Sequence, residues 1–99
     1  MTVRRGSKSA RPTLVTHVLP PVEGEQRETS VGLVVSRAVG SAVERNRTKR
    51  RLRHLMREHV PAVPGGSRIV VRALPAAGAA SSESLAADLE ASLRRAGAR

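Results

Sequence analysis

Residues 41–59 read SAVERNRTKRRLRHLMREH, and this stretch decides the fold because it predicts the longest element of the chain. Ser41 and Glu44 have the Ser-x-x-Glu spacing of a capping box, in which each side chain accepts a hydrogen bond from the other residue's backbone N–H. We therefore expect a helix to begin at Ala42. It can continue to about His59, because a proline follows two residues later, which gives about 18 residues and a length of about 27 Å.

On a helical wheel, residues 42–59 separate into faces of different chemistry. The face expected to pack on a sheet contains Thr48, Leu52, Leu55, Met56 and His59. A second face, which we call the cationic stripe, contains Asn46, Lys49, Arg50, Arg53 and Arg57. A third, mixed face contains Glu44, Arg47, Arg51, His54 and Glu58. The stretch therefore predicts a helix with one buried side and one side suited to phosphate groups, which arginine binds in a bidentate manner.

The chain is strongly basic, with 18 Lys and Arg against 8 Asp and Glu and a formal net charge of +10. Eight of the basic residues but only two acidic ones, Glu44 and Glu58, lie within residues 37–59. Pairs of opposite charge four residues apart therefore cannot neutralise this helix. A domain with such a charge repels itself unless a polyanion binds it, so we expect a nucleic acid partner.

Composition also excludes several classes of protein. There is no Cys for a disulfide or a thiolate metal site, and His54 and His59 are five positions apart, which does not place them on one helix face as a zinc pair. There is no Phe, Tyr or Trp, so base stacking on aromatic platforms, as in RRM and OB modules, is not expected. No apolar run approaches the roughly 20 residues that span a bilayer, and we expect a cytoplasmic protein with no membrane partner.

The remaining segments predict a single small α+β domain. Residues 1–12 are basic and polar and are expected to form a flexible N-terminal arm, and residues 13–96 are expected to form one nucleic-acid-binding domain. Strands are predicted at residues 13–19, 31–36 and 68–74, and a last helix, capped by Ser82, at residues 83–96. The first two strands are expected to pair as an antiparallel hairpin, and both helices to pack on one side of the sheet in a two-layer sandwich. The acidic residues of the last helix, Glu83, Asp88 and Glu90, are interpreted as helix-start and solvent-exposed charges.

Residues 37–53, RAVGSAVERNRTKRRLR, resemble the signature of the bacterial ribonuclease P protein family, whose core is Arg-Asn-Arg followed by Lys-Arg and a further Arg. The similarity extends to VGLVVS at residues 31–36 and IVVR at residues 69–72. It implies an α/β sandwich with a left-handed βαβ crossover around the basic helix. It also implies a subunit that binds the catalytic ribonuclease P RNA, one protein per RNA, and assists removal of the 5′ leader from precursor tRNA. In this family the RNA with Mg²⁺ carries out the hydrolysis, so no catalytic side chain is expected.

The resemblance and the cationic stripe together give the candidate RNA-binding residues, which are Arg37, Arg45, Asn46, Arg47, Lys49, Arg50, Arg53 and Arg57. Arg45 and Arg47 belong to the motif but lie outside the stripe, on different sides of it. RNA is therefore expected to contact more than one side of the N-terminal end of the helix. Arg37 and Gly40 are expected to shape the chain just before the helix.

This chain departs from the family pattern in the residues that are expected to bind the 5′ leader. Family members usually begin with a further helix bearing aromatic residues, and its contact with the sheet forms a cleft for the single-stranded 5′ leader. Here the first predicted strand starts at Thr13 with no aromatic residue before it, and Thr16 and His17 stand where a ring is usual. We expect RNA-subunit binding to be present and leader binding to be reduced.

Two other functions fit the composition less specifically. A ribosomal or nucleoid-type basic protein with no role in an enzyme would have the same charge and the same basic helix. Only the Arg-Asn-Arg signature separates that function from the first. A DNA-reading helix-turn-helix is disfavoured, because strand-like residues occupy the place of the partner helix before Ala42.

Overall fold

The computed structural model describes residues 7–22, 24, 28–62 and 65–96. Within them the chain forms β1 Ser7–Ala10, β2 Leu14–Leu19, β3 Ser30–Val34, α1 Ala42–His59, β4 Arg68–Ala73 and α2 Ser82–Ala96. Short 3-10 helices are formed by Arg37–Val39, Val60–Ala62 and Pro75–Gly78. The predicted α+β class and the predicted extent of the long helix are confirmed.

The four strands form one mixed sheet in the order β1-β2-β4-β3. β2 pairs antiparallel with both β1 and β4, whereas β3 pairs parallel with β4. The predicted hairpin between the strands at 13–19 and 31–36 is therefore wrong, because β4 lies between them. The prediction paired these two strands because they follow one another in the chain and a short loop can join them. However, β4 carries the buried Ile69 and Val71 whereas β3 is mostly exposed, so β4 takes the central position and β3 an edge.

The first strand was not predicted. Residues 7–10, within the segment expected to be a flexible arm, form β1 and pair with β2 from Ser7 opposite Val18 to Ala10 opposite Val15. The Arg11 backbone N–H donates to the Leu14 carbonyl at 2.7 Å and closes the turn between the two strands. The sequence of β1, SKSA, has no apolar alternation that would predict a strand, and its pairing depends on β2. Residues 1–6 of the expected arm lie outside the described residues.

The core lies between one face of the sheet and both helices. β2 and β4 contribute Leu14, Val18, Ile69 and Val71, α1 contributes Leu52 and Met56, and α2 contributes Leu85, Leu89 and Leu93, all of them buried. His17 and Leu19, which alternate with these residues along β2, are exposed on the other face. The predicted two-layer sandwich with helices on one side is confirmed. α1 connects the parallel neighbours β3 and β4, and the left-handed sense of that connection stays a prediction.

Buried polar groups join α2 to the hairpin that β1 and β2 form, which we call the N-terminal hairpin. Asp88 is only 8% exposed and accepts hydrogen bonds from the Thr13 hydroxyl at 2.7 Å, the Thr13 N–H at 3.1 Å and Arg11 Nε at 3.3 Å. Burial by itself raises the pKa of Asp88, but the bonds from Thr13 and the Arg11 charge outweigh it and hold that pKa below its ordinary value. The interpretation of Asp88 as a solvent-exposed charge is wrong, because the hairpin that covers it was not predicted.

The cap of α2 also differs from the prediction by one residue. Ser82 is the first helical residue, and the Ser81 hydroxyl accepts a hydrogen bond from the Ser84 N–H at 3.0 Å. Ser81 is therefore the capping residue, which places Ser82 in the first turn of α2.

Candidate nucleic-acid interface

The chain before α1 is fixed by a turn that needs glycine. Ser36 accepts a hydrogen bond from the Ala38 N–H at 3.3 Å and starts the short 3-10 helix that contains the exposed Arg37. Gly40 follows with φ +150°, a conformation that side chains rarely adopt, and a Cβ there would meet the Glu44 carboxylate. Gly40 thus leaves room for the Glu44 side chain to fold back over the first turn of α1.

The start of α1 has the predicted capping box. The Ser41 hydroxyl accepts from the Glu44 N–H at 3.2 Å, and Glu44 Oε1 accepts from the Ser41 N–H at 2.8 Å. The hydrogen bond from the Ser41 backbone is the main cause that lowers the pKa of Glu44, with smaller contributions from the Ser41 side chain and the Arg47 charge. The first turn, which leads directly into the Arg-Asn-Arg motif at residues 45–47, is therefore held in one geometry.

The cationic stripe faces solvent. Asn46, Arg50, Arg53 and Arg57 are exposed and Lys49 is half-buried. On the opposite side of α1, Thr48, Leu52 and Met56 are buried, as the helical wheel predicts. Among the described residues, no carboxylate makes an ion pair with a stripe cation. The stripe therefore presents charge that this part of the chain does not itself neutralise.

Arg45 and Arg47 flank the stripe and are both half-buried. The Nε atom of each is buried and has no hydrogen-bond partner within the described part of the chain. Arg47 Nη2 donates to the Gly78 carbonyl at 3.4 Å, so its side chain turns toward the loop before α2. The structure brings Lys49, Arg50, Arg53 and Arg57 together with Asn46, and it places Arg37, Arg45 and Arg47 around the N-terminal end of that group.

The mixed face of α1 lines a cleft that the sequence did not predict, which we call the α1–α2 cleft. It has a volume of about 460 Å³ and is lined by Arg47, Arg50, Arg51, His54, Leu55 and Ser82. Arg51 Nη1 donates to the Ala80 carbonyl at 3.0 Å. The spacing of residues 47, 51 and 54 shows that they share a helix face, but the approach of Ser82 depends on how α2 packs.

Neither a metal site nor a membrane-spanning helix is found among the described residues. They contain no group of three or more His, Cys, Asp or Glu side chains placed to hold a metal ion. They also contain no helix that is both long and apolar enough to cross a bilayer. His54 Nε2 lies 3.9 Å from Glu58 Oε2, and both side chains are exposed on the surface of α1.

A family model described as ribonuclease P matches residues 1–97. The chain belongs to the ribonuclease P protein family. It is 55% identical over 96 residues to the ribonuclease P protein component of Nocardioides sp., covering 97% of this chain and 82% of that protein. It is 54% identical over 99 residues to the ribonuclease P protein component of Streptomyces avermitilis, covering 94% of this chain and 80% of that protein.

The fold is also that of solved ribonuclease P proteins. The structure of the ribonuclease P protein from Thermotoga maritima superposes with a TM-score of 0.73 at 25% sequence identity, covering 91% of this chain and 83% of that one. The family resemblance that the residues around Arg45-Asn46-Arg47 indicate is thereby confirmed. The individual RNA-binding roles of the candidate residues stay predictions.

Proposed function

We propose that this chain is the protein subunit of a ribonuclease P holoenzyme, in which it binds the catalytic RNA and assists removal of the 5′ leader from precursor tRNA. The observation that carries the proposal is the cationic stripe, unneutralised within the described residues and fixed on a capped helix, in a member of the ribonuclease P protein family. Membership in the family indicates which enzyme the chain belongs to, and the stripe supplies a surface on which the RNA can bind.

The side chains of α1 bind the RNA backbone in this proposal. Arg50, Arg53 and Arg57 are exposed on successive turns, so their guanidinium groups can reach phosphate oxygens along one strand. Lys49 adds a point charge and Asn46 an amide that both donates and accepts hydrogen bonds. Binding releases counterions from the RNA, so affinity falls steeply with salt concentration.

We assign the hydrolysis to the RNA and its Mg²⁺. The described residues offer no cluster of carboxylate or imidazole ligands for a metal, so no protein ligand to Mg²⁺ is proposed. The metal supplies, on the RNA, an activated water and charge stabilisation at the scissile phosphate. In this proposal the protein's residues contribute by neutralising backbone charge, and one protein binds each RNA.

The test is precursor tRNA cleavage by the protein, by the cognate ribonuclease P RNA, and by both together, over a range of Mg²⁺ concentrations. We expect no cleavage by the protein alone, and cleavage at lower Mg²⁺ when the protein is added to the RNA. Cleavage by highly purified protein without RNA would contradict the assignment of the chemistry. If the protein changed nothing, a ribosomal or nucleoid-type binding function would replace the proposal.

A further inference from the structure

The α1–α2 cleft concentrates positive charge outside the cationic stripe. Three guanidinium groups, from Arg47, Arg50 and Arg51, and the His54 imidazole line it together with Leu55 and Ser82. None of these lining side chains is acidic, and the nearby Glu58 carboxylate lies 3.9 Å from His54 Nε2 with both side chains exposed. The cleft therefore favours an anion electrostatically.

Two of the arginines are held in place before any ligand binds. Arg51 Nη1 donates to the Ala80 carbonyl at 3.0 Å and Arg47 Nη2 to the Gly78 carbonyl at 3.4 Å. Gly78 itself lies against the Val39 backbone, where a Cβ would collide with the Val39 carbonyl oxygen, so this wall of the cleft is closely packed. Each arginine has five N–H donors, so one bond to a carbonyl leaves most of them for a ligand.

The first turn of α2 adds to the same preference. Ser82 is the first residue of this 15-residue helix and lines the cleft. Backbone N–H groups and the positive end of the helix dipole lie at this terminus, and both favour a bound anion. Arginine, imidazole, hydroxyl and helix terminus thus converge on one volume from two elements.

We propose that the α1–α2 cleft binds one nucleotide of the partner RNA, with its phosphate held by Arg51, His54 and Ser82. The inference rests on the proposed function and adds a binding site to it. The volume of about 460 Å³ exceeds what a phosphate group needs, so the cleft has room for a base or ribose beside it. Because the chain has no Phe, Tyr or Trp, the base packs against guanidinium planes and Leu55.

Continuity with the cationic stripe favours an RNA strand over a free anion. Arg50 belongs to the stripe and also lines the cleft, so the two surfaces meet along α1. A backbone that crosses the helix at Arg50 can place one phosphate on the stripe and the next nucleotides in the cleft. A free phosphate ion would use the cleft without this connection.

The test compares Ser82→Glu with Ser84→Glu, each in the full chain bound to the cognate ribonuclease P RNA. Both variants add one negative charge to the first turn of α2, where a carboxylate suits the helix dipole, so neither should lower the melting temperature. Ser82 lines the cleft, whereas Ser84 bonds to the capping Ser81. We expect Ser82→Glu to weaken RNA binding about tenfold and to reduce the salt slope by about one, and Ser84→Glu to do neither.

Hydroxyl-radical footprinting of the RNA locates the nucleotides that the cleft binds. We expect Ser82→Glu and His54→Ala to leave the same few nucleotides unprotected, while protection by the stripe remains. Equal binding by wild type, Ser82→Glu and Ser84→Glu would overturn the cleft site and leave the proposed function intact. Failure of the wild type to bind the RNA would instead overturn the proposed function. A saturable shift of the His54 resonances with inorganic phosphate alone, together with an unchanged footprint in Ser82→Glu, would assign the cleft to a free anion and overturn the proposal.

Discussion

The geometry of the first turn of α1 depends on Gly40 as well as on the capping box of Ser41 and Glu44. The φ of +150° at Gly40 disfavours any side chain, and a Cβ would occupy the space of the Glu44 carboxylate. We expect Gly40→Ala to lower the free energy of unfolding by about 1–2 kcal/mol, because it strains the backbone and opens the capping box. Urea denaturation followed by circular dichroism measures this decrease.

Gly65→Ala is the matched control for that substitution. A Cβ at Gly65 meets nothing within 4 Å, so stability should change little. An equal decrease in both variants would show that the capping box does not depend on the space at Gly40.

A second prediction at the scale of residues concerns the exposed arginines of the cationic stripe. Arg50→Ala or Arg53→Ala should weaken binding to the ribonuclease P RNA and reduce the salt slope by about one for each phosphate group that the variant no longer binds. Arg94→Ala is the control, since Arg94 is also exposed but lies on α2 and pairs with Glu90 at 3.1 Å. Filter binding at several salt concentrations provides the measurement. If Arg94→Ala weakened binding as much as Arg53→Ala, diffuse charge rather than α1 would govern affinity.

At the scale of elements, Asp88 on α2 accepts hydrogen bonds from the N-terminal hairpin, so its protonation weakens the contact between the two. The pKa of Asp88 in the fold lies below the value of about 3.9 for an unfolded aspartate. Its contribution to stability is therefore complete above that unfolded pKa and is lost as pH falls through the lower, folded pKa. We expect Asp88→Asn to destabilise the protein at neutral pH, and the difference from wild type to shrink below about pH 4.

Urea denaturation of wild type and Asp88→Asn at a series of pH values from neutral down to about pH 3 tests this linkage. Glu90→Gln serves as the control, because Glu90 is exposed on the same helix and pairs with the exposed Arg94. A destabilisation by Asp88→Asn that stayed constant over the whole range would mean that shape, and not the carboxylate charge, joins the hairpin to α2.

The elements that the sequence predicts well are those fixed by local interactions. The capping box of Ser41 and Glu44, and the periodicity that buries Leu52 and Met56, operate within a few residues, so α1 was predicted with its true bounds. The pairing of β1 and the central position of β4 depend on residues far away in the chain, and neither was predicted. For the same reason the stripe was visible in the sequence, whereas the α1–α2 cleft, which needs Ser82 beside Arg51, was not.

At the scale of the whole molecule, the absence of Phe, Tyr and Trp affects which form of tRNA the holoenzyme prefers. Stacking of a base on an aromatic ring contributes on the order of 1–3 kcal/mol, and this chain has no Phe, Tyr or Trp ring to offer a single-stranded leader. We expect its holoenzyme to bind precursor tRNA and mature tRNA with affinities that differ by less than about tenfold. Affinities of the holoenzyme for one tRNA with and without its leader test this. A much larger preference for the precursor would mean that guanidinium or backbone groups read the leader.

The central position of β4 has a consequence for how the chain folds. Of the four strands β4 is the last to be synthesised, yet it alone joins β2 to β3 within the sheet. While residues 68–73 are still in the ribosome, β2 can pair only with β1, β3 has no neighbour in the sheet, and α1 has no complete sheet to cover. We therefore expect cooperative folding only after β4 emerges, and a chain ending at residue 67 to remain largely unstructured, exposing the apolar side of α1 to chaperones.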